Sequence, residues 1–130
     1  MRLSVSPRGK FLVNVTYAAA FTAGGMAPHV PGLGTVVPDT AAHAVGAGVQ
    51  VLVLFWLTSE LMALPMALAV AGGGAFLFGA MIEVLQLLQP ARQSQLSDVA
   101  ANGAGAFAAT LVVAVLLTIK GLRAGHHDAP

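Results

Sequence analysis

Charge is what this sequence has least of. Only 8% of its residues are Asp, Glu, Lys or Arg. A water-soluble domain carries roughly 25%. A surface that poor in charge cannot satisfy water, so the chain reads as an integral membrane protein. Cysteine is absent altogether, which excludes disulfides and thiolate metal sites. The net charge is only +1, leaving no electrostatic basis for binding nucleic acid. No alternating strand pattern or even-spaced turns appear, which argues against a β-barrel. No convincing internal repeat is present.

What is abundant is Ala, Val, Leu and Gly; 57% of the chain is hydrophobic. Small residues let helices approach closely in lipid, where packing rather than water drives association. A spanning helix needs about 20 mostly apolar residues. Four stretches meet or approach this: 11–27, 40–57, 63–88 and 96–119. The 130 residues therefore predict one all-α domain, an integral membrane four-helix bundle.

Arg2, Arg8 and Lys10 precede the first span, Lys120 and Arg123 follow the last, and only Arg92 lies elsewhere. By the positive-inside rule both termini are cytoplasmic, which demands an even number of spans. A cleaved signal peptide is the rival reading of the first span. Asn14, Thr16 and Tyr17 interrupt its apolar core, and no clean small-x-small site follows. The first span is expected to stay.

On this topology the polar residues gather at one end. Residues 29–39 and 89–95 both become external connectors. Asp39 and His43 are four apart on one helix face, as are Asp98 and Asn102. Glu83 and Gln86 are three apart on another. Asp39 and Asp98 each stand where a helix starts, where the helix dipole favours negative charge by about 0.3–1 kcal/mol. Each residue also has a plainer role. Asp39 and Asp98 suit helix capping. His43 suits hydrogen-bonded packing, and Arg92 suits a solvated loop cation. Gln86 and Asn102 suit interhelical bonding at about 0.6 kcal/mol each. Glu60 is read as a solvated inner turn without a partner.

Glu83 resists the plain reading best. It lies seven residues before Pro90, roughly 10 Å below the helix end at about 1.5 Å per residue. An acid that deep costs about 2.5–3.5 kcal/mol on insertion scales, less near the interface. It needs a partner or a proton, and Arg92 and His43 are the available cations.

The ordered set is Pro38-Asp39 with His43, Glu83-x-x-Gln86, Pro90-x-Arg92, and Asp98-x-x-x-Asn102-Gly103-x-Gly105. This set, over about residues 28–117, resembles the VanZ-like family of small bacterial membrane proteins. The resemblance implies a multi-pass protein of the bacterial cytoplasmic membrane. Through the family's founding member it also implies a link to low-level teicoplanin resistance. It carries over to Asp39, His43, Glu83, Gln86, Arg92, Asp98 and Asn102. One departure is Thr40, where the family usually has Lys after the first Asp. If that Lys helps hold an anionic ligand, this chain binds differently.

Three functions are compatible with these residues. The first is an enzyme or binder acting on an envelope lipid or lipid-linked precursor. In it Asp39, His43, Glu83 and Asp98 carry the chemistry, and Gln86, Arg92 and Asn102 hold the ligand. Arg92 offers a bidentate fork for phosphate, and His43 is an acid or base near neutral pH. Asp39, Glu83 and Asp98, with or without His43, could hold a divalent cation. No nucleophile stands out, since nothing marks Ser94 or Ser97. The second is a non-catalytic bundle in which the same groups fix helix register. The third is a small transporter or flippase. Charges confined to one end argue against a through-path, unless a homo-oligomer forms through the Ala101, Gly105 and Ala109 stripe of span four.

Overall fold

The computed structural model describes residues 5–26, 39–88 and 95–127, with side chains described to residue 123. Four helices follow one another: α1 (Pro7–Met26), α2 (Asp39–Thr58), α3 (Leu64–Gln86) and α4 (Leu96–His127). Among the described residues there is no strand.

The helix starts follow local chemistry. Ser6 Oγ accepts the Gly9 backbone N–H at 3.2 Å, with Pro7 opening the helix, so an orphan donor is satisfied where proline costs nothing. Pro65 lies in the first turn of α3, where its missing N–H is likewise harmless. Between α2 and α3 the chain reverses in a short turn, tied by Met62 N–H to the Thr58 carbonyl at 3.1 Å. All four expected stretches are helical. α4 runs eight residues further than the hydropathy pattern, because residues 120–127 contain no proline to stop it.

The α2–α3 pair forms the middle of the bundle. Both helices touch α1 and α4, whereas among the described residues α1 and α4 do not meet. Buried Ala47, Val51, Ala71, Ala75 and Ala106 make the central seam, with Leu54, Phe55 and Ala109 packed against it. Such small side chains permit close backbone approach, and the tightest point is Gly105. A β-carbon there would collide with the Ala44 carbonyl of α2. Gly48 meets Ala109 at the same crossing. Gly105 and Ala109, two members of the small-residue stripe on α4, therefore face α2 of their own chain. The large apolar side chains point outward instead, among them Leu77, Val84, Phe107 and Leu111. That is the inverse of a soluble core and suits a lipid surround.

Three helices are long and apolar enough to cross a membrane: Asp39–Thr58, Leu64–Gln86 and the part of α4 from Leu96 to Arg123. α1 is not among them, because Arg8, Lys10, Asn14 and three further hydroxyl residues dilute it. It nevertheless runs beside α2 along the whole bundle. Asn14 Nδ2 donates to the Val53 carbonyl at 3.1 Å, and the Tyr17 hydroxyl donates to the Gly46 carbonyl at 2.8 Å. Near the other end, Gln86 Nε2 of α3 donates to the Gly25 carbonyl of α1 at 2.7 Å.

Candidate functional site

Successive antiparallel helices bring the start of α2, the end of α3 and the start of α4 to one end of the bundle. Asp39 opens α2, and His43 follows one turn later. His43 Nε2 lies 4.0 Å from Asp39 Oδ1. Its other ring nitrogen, Nδ1, lies 3.4 Å from Glu83 Oε1 of α3. His43, one of the two partners the sequence offered to Glu83, thus lies beside it. Arg92 lies outside the described residues. From α4, Asp98 brings a carboxylate oxygen to the same place. Ligand-type atoms of Asp39, His43 and Asp98 all fall within 4.8 Å of one another.

Asn102 sits one turn deeper on α4, wholly buried against Gly79. A β-carbon on residue 79 would stand 2.6 Å from Asn102 Cγ, so glycine makes the recess that holds the amide. Glu83 follows Gly79 by four residues and continues the same face of α3. Gln86 completes that face with its bond to α1. Six of the seven residues singled out from sequence are therefore gathered by three helices.

Burial sets this cluster apart from an ordinary helix cap. His43, Glu83, Gln86, Asp98 and Asn102 are each at most 3% exposed, while the Asp39 side chain is 56% exposed. The cluster is closed below and open at Asp39. A cavity of about 230 Å³ between α1 and α2 reaches it, lined by Phe21, Gly24, Gly25, Asp39 and His43. Phe21 meets the His43 ring edge-on at a centroid distance of 6.4 Å.

Many buried polar atoms here lack a hydrogen-bond partner among the described residues. They are His43 Nδ1, both Glu83 oxygens, Gln86 Oε1, Asp98 Oδ1 and both polar atoms of the Asn102 amide. The His43–Glu83 approach is a close polar contact rather than an aligned hydrogen bond. The Gln95 backbone N–H likewise lies near the Glu83 carboxylate without good bonding geometry. Each unsatisfied buried group costs about 1–3 kcal/mol.

The opposite end holds residues the sequence reading passed over. Lys10 is buried and ion-paired with Glu60. It also donates to the Trp56 carbonyl at 3.3 Å and lies 4.9 Å from the Trp56 ring centroid. The expectation that Glu60 is a partnerless turn residue is corrected. It is half exposed, but it neutralises a lysine that α1 packs against α2. The lysine counted toward orientation is thus also an interhelical contact. Asn14, four residues after Lys10, and Gln50, seven after His43, are buried as well. Both spacings are helical, and polar residues repeating on one face of an apolar helix were the signal for them.

These features define a class: an all-helical chain with three membrane-capable helices and a buried acid–histidine–amide cluster at one end. Comparison with family models, curated proteins and solved structures returns no match.

Proposed function

We propose that this chain is a four-span membrane protein whose polar end binds, or acts on, the headgroup of an envelope lipid or lipid-linked precursor. The observation that carries the reading is the set of buried polar atoms on His43, Glu83, Asp98 and Asn102 that have no hydrogen-bond partner among the described residues. A network kept only to fix helix register satisfies its own members, since half-satisfied networks destabilise the fold they belong to. This one leaves acceptors and donors facing each other beside a cavity that opens at Asp39. Three acids and a histidine suit proton transfer or polar headgroup recognition. On the sequence reading, Arg92 adds a guanidinium for phosphate.

The length of α1 supports a fourth crossing. It contacts its neighbours from Lys10 at one end to Gly25 at the other, the same thickness that α2 covers. The distribution of Lys and Arg supports cytoplasmic termini with the polar cluster on the opposite side. The motif order supports a VanZ-like assignment, and with it a place in the bacterial cytoplasmic membrane and a tie to teicoplanin susceptibility.

The test is a deletion strain complemented with wild type, Glu83→Gln or Asp98→Asn at matched membrane levels. Envelope lipids and teicoplanin susceptibility are the readouts. The reading expects wild type to restore the altered lipid or susceptibility and the isosteres to fail. Isosteres that complement fully make the cluster structural and remove the proposal.

A further inference from the structure

We propose that Asp39, His43 and Asp98 form a binding site for one divalent transition-metal ion of the Mn²⁺ or Zn²⁺ type, with Glu83 orienting the histidine. The inference deepens the proposed function, and rests on it only for what the ion would be used for. Its first support is geometric. One nitrogen and two carboxylate oxygens from two helices converge within 4.8 Å. Two ligands at about 2.0–2.2 Å from one ion stand roughly 3–3.6 Å apart when adjacent and at most about 4.4 Å apart when opposite. The 4.0 Å between His43 Nε2 and Asp39 Oδ1 already lies inside that limit. Drawing the three groups onto one ion takes side-chain movement of about an ångström.

The second support is independent of spacing. Asp98 is more than nine-tenths buried, yet its Oδ1 has no hydrogen-bond partner among the described residues. The carboxylates of Glu83 and Asp98 are both buried beside one imidazole. Every lysine and arginine among the described residues belongs to α1 before Phe11 or to α4 beyond Ile119, at the far end of the bundle. Among the described residues no lysine or arginine pairs with the buried Glu83 and Asp98, and an unpaired buried charge is strongly unfavourable. A divalent ion supplies that charge at the point where the oxygens converge.

The two faces of His43 complete the argument. Its Nε2 faces Asp39, and its Nδ1 faces the buried Glu83 carboxylate. A metal-bound histidine commonly donates its second ring N–H to a carboxylate, which fixes the ring and raises its basicity. Glu83 stands where such a partner stands, which explains an acid buried among apolar helices. One imidazole with carboxylates and an open, half-exposed side suits Zn²⁺ or Mn²⁺ better than a closed structural site.

The experiment uses the full chain, purified in detergent, stripped with chelator and dialysed against Zn²⁺ or Mn²⁺. Metal per chain is read by plasma mass spectrometry and thermal stability by melting. About one ion per chain and a raised Tm are expected. His43→Gln and Asp98→Asn should each abolish both. Glu83→Gln should weaken binding about 10–100-fold without abolishing it. Helical content by circular dichroism controls for folding, and Asp98→Asn decides the matter if His43→Gln fails to fold. A double His126→Ala, His127→Ala variant should keep the ion. Loss of the ion in that variant would place the metal on the C-terminal histidines and overturn the site. So would a stripped chain that takes up no metal and shows no shift in Tm. No metal with isosteres that still fail to complement removes the metal and leaves the headgroup reading standing. Metal bound by a chain whose isosteres complement does the reverse.

Discussion

Glu83 and His43 are each explained by the other. A carboxylate this deep needs a neighbour, and the imidazole 3.4 Å away is the one the fold supplies. Residues in contact show coupling of about 0.5–3 kcal/mol in a double-mutant cycle. Glu83→Gln combined with His43→Gln is therefore expected to deviate from additivity in thermal or denaturant unfolding by an amount in that range. Strict additivity would show that the two side chains do not interact. Lys10 and Glu60 give the matching case at the other end. Removing Glu60 leaves a buried ammonium, so Glu60→Gln should destabilise by about 1–3 kcal/mol, between the limits for exposed and buried pairs. Lys10→Met with Glu60→Gln should recover part of that loss. A double variant less stable than Glu60→Gln would mean that the pair holds α1 by more than charge neutralisation. At this scale the sequence revealed Asp39, His43, Glu83, Gln86, Asp98 and Asn102, because acids and amides stand out in an apolar helix. It did not reveal the Lys10 contact. A lysine at the start of a span looks the same whether it is solvated or folded back onto a neighbour.

Glycine decides how the elements meet. At Gly105 the α4 backbone lies against the Ala44 carbonyl of α2, and no side chain can be accommodated without parting the helices. Gly105→Val is expected to cost about 1–3 kcal/mol, as overpacking does, and to lower Tm. Gly73 is the control. It lies on α3 with open space where its β-carbon would stand, so Gly73→Ala should leave Tm unchanged or raise it slightly. Equal effects at the two positions would mean that α2 and α4 do not cross at Gly105. The helices themselves were legible from length and hydropathy, though α1 begins four residues before its expected stretch and α4 ends eight residues beyond its own. The pairing was not. A stripe of small residues shows that something approaches closely, without saying whether that is a second copy or α2 of the same chain.

For the whole molecule the testable quantity is orientation. Absence of cysteine makes the chain a clean background for single-cysteine labelling. Ser97 opens α4 beside the polar cluster, and Ser59 lies in the turn between α2 and α3 at the opposite end. With the termini cytoplasmic, Ser97→Cys is expected to react with a membrane-impermeant maleimide in intact cells. Ser59→Cys should react only after permeabilisation. The reverse pattern would invert the topology and turn the cluster toward the cytoplasm.

The sequence by itself determined the all-helical class and the number and rough extent of the helices, three of them long and apolar enough to cross a membrane. Composition and hydropathy are sums over local residues and need no knowledge of neighbours. It also selected the polar residues of the cluster, because helical periodicity places residues three or four apart on one face. Only the tertiary structure decided that Asp39, His43 and Asp98 share one point, that Glu83 stands behind the histidine, and that Lys10 reaches Glu60. Those are relations between helices, and they depend on the rotation of each about its axis. That rotation is set by which small residues let which backbones touch. The same alanines and glycines, read along the chain, carry no record of their partners.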